Sequence, residues 1–97
     1  MAPLTIRWLK GAVRNLEQAR AYIEADNPRA ASRIATRIRE SVANLSRHPE
    51  MGRAGRVPGT RELVVSGTPF IIPYQVRGRS VVVLRVLHAA RKWPETF

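Results

Sequence analysis

Apolar positions recur every three or four residues along two neighbouring stretches, and the chain around them alternates or breaks. Residues 3–9 alternate apolar and polar side chains and predict a short strand, with Ile6 and Arg7 pointing opposite ways. Residues 11–26 predict a helix, carried by Val13, Leu16, Ala19 or Arg20, and Ile23. Asp26-Asn27-Pro28 ends it. Asn27 suits an N-cap, and Pro28 at the first helical position gives up no hydrogen bond. A second helix is predicted from Pro28 to Ser46, with Ala31, Ile34, Ile38, Val42 and Leu45 as its apolar stripe. Arg29, Arg33, Arg37 and Glu40 fall on or near its other side. So short a join between the helices predicts an antiparallel hairpin.

His48-Pro49-Glu50-Met51-Gly52 stops the second helix, and the Gly-, Pro- and Arg-rich residues 53–59 read as an irregular loop. Three strands follow, at 60–65, 69–76 and 80–87. Their short turns make them antiparallel neighbours. Pro73 has no N–H, so it must face an unpaired edge or a bulge. One face of this sheet must meet the hairpin. Phe70, Ile72, Tyr74 and Val76 form the better apolar set in one strand, and Val82, Leu84 and Val86 in the next. That choice puts Val81, Val83, Arg85 and Leu87 on the face away from the helices, a half-apolar, arginine-bearing surface suited to a partner. The expected fold is α+β, a single domain over residues 1–97. An N-terminal strand precedes an antiparallel helix hairpin packed on one face of a small antiparallel β-sheet.

Composition changes the picture chiefly through charge. The chain has 97 residues, 44% hydrophobic, with a formal net charge of +10. That size supports one modest core. That charge attracts nucleic acid, ribosomes or an acidic protein. Lysine occurs only at Lys10 and Lys92, so the positive charge is almost all guanidinium. Cysteine is absent, which excludes disulfides and a thiolate nucleophile and suits a reducing cytoplasm. No run is long enough for a membrane span or a signal peptide, so a cytoplasmic location without membrane association is expected. His48, His88 and seven scattered carboxylates match no metal-ligand spacing. Gly52, Gly55 and Gly59 precede a strand rather than a helix, so there is no phosphate-binding loop. No cofactor is expected.

Several strings carry a resemblance. They are Thr60-Arg61-Glu62-Leu63-Val64-Val65, Phe70-Ile71-Ile72-Pro73-Tyr74-Gln75-Val76 and Val83-Leu84-Arg85-Val86-Leu87-His88-Ala89-Ala90-Arg91-Lys92-Trp93-Pro94, with a P-x-x-G join at Pro49–Gly52. With the strand–helix–helix–three-strand order, they resemble the ParE/RelE toxin superfamily from about residue 4 to residue 94, closer to ParE. The resemblance implies a plasmid-stabilisation type of toxin, held inactive in a hetero-oligomer by an acidic, ParD-like antitoxin whose C-terminal segment wraps it. It also implies one of two activities. ParE-like members act on DNA gyrase, and RelE-like members cleave messenger RNA on the ribosome.

Metal-free RNA cleavage needs an acid, a base and cations beside the phosphate. Arg61, Arg85 and Arg91 are the available cations, and His88 is the one histidine near them. The ribonuclease relatives place several lysines and arginines on the sheet; here the sheet lysines are missing. No firm catalytic residue is therefore assigned. A nuclease would use His88 with Arg61 and Arg85. Arg61, Arg85, Arg91 and Trp93 are the candidates for binding antitoxin or target, because guanidinium forks hold carboxylates and aromatics anchor interfaces. Arg29, Arg33 and Arg37 read as a solvated helix face, with no interleaved aromatic for stacking. Trp93 and Phe97 either fold back on the sheet or anchor a partner. Inhibition of DNA gyrase without catalysis is the leading reading, a ribosome-dependent mRNA endonuclease the second, and a basic nucleic-acid-binding module the third.

Overall fold

The computed structural model describes residues 2–97. Strand β1 (Thr5–Trp8) leads into helices α1 (Lys10–Glu24) and α2 (Pro28–Asn44), followed by β2 (Arg53–Ala54), β3 (Arg61–Val64), β4 (Phe70–Arg77), β5 (Ser80–Val83) and β6 (Leu87–His88). Both helices fall where the apolar spacing puts them. Asn27 caps α2 as its side chain suggests: extended at φ −152°, it accepts a 3.1 Å hydrogen bond from the Ala30 N–H through Oδ1.

Strand order in the sheet is β1-β5-β4-β3-β2, with β6 also on β4. The hairpins β3–β4 and β4–β5 are antiparallel as expected. The sheet as a whole is mixed, because β1 runs parallel to β5, with Ile6 opposite Val81 and Trp8 opposite Val83. Parallel neighbours need a long crossover, and the helix hairpin is part of the connection that supplies it. Two residues of the expected loop, Arg53 and Ala54, form β2 against Glu62 and Arg61.

The last expected strand, 80–87, is two strands. Tyr74 pairs with Val83 and Ile71 with Leu87, so two residues of β4 face three residues between β5 and β6. That extra residue is a bulge, and it lies opposite Pro73. The Pro73 carbonyl still accepts from Leu84 N–H at 2.9 Å, but its nitrogen, which has no hydrogen to give, faces the interruption. The bulge also shifts side-chain parity by one. Val81 and Val83 share the helix-facing side with Tyr74 and Ile72, and Val86 rejoins them beyond the bulge. The expected core set Val82, Leu84 and Val86 is therefore corrected to Val81, Val83 and Val86. Arg85 does not lie on the face away from the helices. Its guanidinium packs against Gly11 of α1.

The core forms where Leu16, Ala35, Ile38, Val42 and Leu45 of the hairpin region meet Leu63, Val65, Phe70, Ile72, Tyr74, Val81, Val83 and Val86 of the sheet region. Ile38, Leu45, Ile72 and Val42 are among the fully buried side chains. Each such burial contributes about 1.5–3 kcal/mol. The opposite face is not left bare, since Ile71 and Leu84 are 6% exposed and Val82 2%. The arginines on that side include Arg7, Arg53, Arg56 and Arg77 but not Arg85, as the partners Val82, Ser80 and Glu62 show.

Candidate functional site

Three polar constructions surround the core. The first anchors the join after α2. Tyr74 is fully buried, and its hydroxyl donates to the Pro49 carbonyl at 2.7 Å while accepting from the Gly52 N–H at 2.8 Å. Next to it on β3, Arg61 donates to the carbonyls of Gly52 at 2.8 Å and Glu50 at 3.3 Å. One phenol and one guanidinium thus satisfy backbone groups that the turn would otherwise leave unpaired.

Burial pushes the Tyr74 hydroxyl above its ordinary value of 10.0, against the Gly52 hydrogen bond and the nearby Arg61 charge, which pull it down. Between that ordinary value and the raised one, the unfolded chain releases the phenolic proton while the folded chain keeps it. Stability is therefore complete below pH about 10 and falls as pH climbs through the window above it. We expect the urea midpoint to drop as pH rises above about 10, and to drop less in Tyr74→Phe, which has no proton to lose at this position.

The second construction holds the bulge. Arg85 donates to the Leu84 carbonyl at 2.9 Å, and the Val86 N–H donates to Asn15 Oδ1 of α1 at 3.2 Å. A helix side chain thus takes up an N–H that the broken ladder leaves free.

The third is a groove of about 430 Å³ between the outer edge of α1 and the β6 end of the chain, lined among others by Asn15, Tyr22, Ile23, Phe70, His88, Arg91 and Trp93. Tyr22 is 69% exposed, the largest exposure among the large apolar side chains of the described residues. Arg91 lies over its ring at 5.4 Å. His88 meets Phe70 edge to face, at 5.6 Å and 81°. Its Nδ1 accepts from the Ala90 N–H at 3.1 Å, which leaves the proton of the neutral ring on Nε2. Trp93 Nε1 donates to the His88 carbonyl at 3.1 Å, so the tail folds back along β6.

Trp93 is also the outer layer of a clasp. The Arg56 guanidinium stacks on its ring at 3.6 Å. Arg56 in turn meets Glu62 through its backbone N–H at 2.9 Å and its Nε at 3.6 Å. Glu62 is 2% exposed and also receives Arg53 at 3.1 Å. Burying a carboxylate this deeply is costly, and such partners offset the cost.

His88, Arg91 and Trp93 therefore come together at one groove. Arg61 and Arg85 do not join them: one is bound to the Glu50–Gly52 turn and the other to the bulge. No hydrogen bond links any two of Arg61, Arg85 and His88 among the described residues. No cluster of three His, Cys, Asp or Glu suited to a metal occurs among them either. Sequence reasoning missed Tyr22, Arg56 and Glu62. Tyr22 carried a signal, being an aromatic off the apolar stripe of α1. Glu62 carried a weaker one, as a lone carboxylate in an apolar strand. Arg56 carried none.

Comparison with known proteins agrees with the fold and the strings. Residues 6–93 match the ParE toxin family of type II toxin–antitoxin systems, parDE. The Sinorhizobium fredii protein Y4kP, described as a candidate toxin, is 45% identical over 98% of both chains. Toxin RelE2 of Caulobacter vibrioides is 38% identical over 87% of this chain and 93% of its own. Among solved structures, a chain of the chromosomal ParDE toxin–antitoxin system of P. aeruginosa superposes with a TM-score of 0.81 at 26% identity, covering 88% of this chain and 95% of its own. With sequence, fold and motif strings in agreement, the chain belongs to the ParE family of toxins from type II toxin–antitoxin systems.

Proposed function

We propose that this chain is the toxin of a ParD–ParE type pair, that it acts by binding DNA gyrase rather than by catalysis, and that an acidic antitoxin silences it. The observation that carries the choice is the dispersal of the candidate catalytic groups. Arg61 is spent on the Glu50 and Gly52 carbonyls, Arg85 on Leu84, and His88 Nδ1 on Ala90. General acid–base cleavage of RNA needs a base within hydrogen-bond reach of the reacting hydroxyl and cations converging on the phosphate. Here the cations face different elements. A binding mechanism makes no such demand.

The antitoxin reading is supported by the groove and the charge. Tyr22, Ile23 and Phe70 offer an apolar floor, and Arg91 with Lys92 a basic rim. An amphipathic acidic segment suits both, and the +10 charge speeds its arrival. A ribosome-dependent endonuclease is the second reading, favoured by the 38% identity to a protein named RelE2.

Gyrase supercoiling and cleavage assays, run beside a translation assay that maps messenger RNA ends, decide between them. The expected result is stalled gyrase–DNA cleavage complexes, intact messenger RNA and unchanged toxicity in His88→Gln. New messenger RNA ends that vanish in His88→Gln would establish the nuclease instead.

A further inference from the structure

The outer face of α2 lies outside everything assigned so far. From Pro28 to Asn44 the helix carries Arg29, Arg33, Arg37 and Arg39 against a single carboxylate, Glu40. All four arginines are exposed. None has a carboxylate within 4.0 Å among the described residues, where the ion pairs belong to Arg20, Arg53 and Arg56. Arg29, Arg33 and Arg37 follow one another at four-residue steps, so they spread over about 12 Å of helix axis. Ser32, Thr36, Ser41 and Asn44 line a shallow groove with Arg33, Arg37 and Glu40. Beyond it, the Arg37 guanidinium reaches the β3–β4 turn, where a Cβ on Gly67 would meet its Cζ at 3.7 Å, ordinary van der Waals contact.

We propose that this face binds the phosphate backbone of a nucleic-acid duplex without reading its sequence. Two features favour that occupant over an acidic protein. None of the large exposed apolar side chains, Val13, Tyr22, Met51, Val64 and Val76, lies on α2. Protein interfaces need apolar or aromatic anchors at their centre, whereas phosphate contacts need only cations and small donors. Charge placement is the second feature. α2 has no acidic residue in its first turn and no basic residue in its last. Arg29 therefore adds to the positive end of the helix dipole, an arrangement that opposes helix stability and favours an approaching anion. The face holds no aromatic side chain, which argues against stacked single strands and leaves backbone contact to a duplex intact. The strip is separate from the α1–β6 groove, so its occupation does not depend on the antitoxin or gyrase readings.

Fluorescence anisotropy with a labelled duplex of arbitrary sequence tests this on the full chain, between about 50 and 200 mM salt, alongside a single strand of the same length. The variant Arg29→Gln/Arg33→Gln/Arg37→Gln keeps helix propensity and removes three charges. A control, Arg14→Gln/Arg77→Gln/Arg79→Gln, removes three exposed charges elsewhere. The α2 variant is expected to flatten the slope of log affinity against log salt by about 3, since each phosphate contact contributes about 0.9. The loss should be equal for unrelated sequences, and the control should flatten the slope by less than about 1. Equal losses in both variants would reduce the effect to bulk charge and overturn the proposal. So would absent duplex binding at the low salt, or tighter binding to the single strand.

Discussion

Replacing Gly52 by alanine is expected to be strongly destabilising. A Cβ at this position would lie 2.6 Å from both Cε1 and the hydroxyl oxygen of Tyr74, and 3.0 Å from the Glu62 carbonyl. Tyr74 is fully buried and cannot swing aside, because its ring sits in the core with Ile72 and Val83. Nor can the turn simply back away. Retreat would break the Gly52 and Pro49 hydrogen bonds to the phenol and loosen the Arg61 contacts with Glu50 and Gly52. Overpacking alone costs about 1–3 kcal/mol. Each buried group left unpaired adds about 1–3 kcal/mol. A total near 4 kcal/mol is a large share of the roughly 5–15 kcal/mol that holds a domain together. Thermal unfolding should shift down by about 15–30 °C, given about 4–8 °C per kcal/mol for a chain of this size. A melting curve within about 5 °C of the parent would show that the turn adapts, and that the phenol is not its anchor.

The largest functional effect is expected at the α1–β6 groove. Tyr22 is exposed by 69% and meets the exposed Arg91 at 5.4 Å, so neither side chain contributes much to the fold. Aromatic and arginine side chains of this kind supply most of the affinity where a partner covers them, at 2 kcal/mol or more each. Tyr22→Glu/Arg91→Glu places two negative charges where the proposed acidic segment would dock. The affinity for the cognate antitoxin should fall by about a thousandfold, as two losses of about 2 kcal/mol each imply. Circular dichroism and melting should stay unchanged. Cells that tolerate the parent toxin with its antitoxin should then die, because the toxin is no longer held. A loss of less than about tenfold, measured by titration calorimetry, would move the antitoxin to another surface.

Much of this molecule was determined by short stretches of chain acting alone. The helices follow from apolar residues at helical spacing, and their junction from Asn27 and Pro28, since capping and periodicity act within a turn or two. The order of elements and the strings around Thr60–Val65, Phe70–Val76 and Val83–Pro94 were enough to suggest the family. Pro73 even announced a fault in the strand beside it. Which neighbour would carry that fault was a matter for the whole sheet. The extra residue among Leu84, Arg85 and Val86 inverts inward and outward positions, because a strand alternates with a period of two and one added residue reverses every assignment beyond it. Tertiary structure alone decided that Arg85 turns to Gly11, that β1 runs alongside β5, and that Trp93 comes back to lie under the Arg56 guanidinium. Those contacts join residues dozens of positions apart. Their energy depends on burial and on partners that no local pattern encodes.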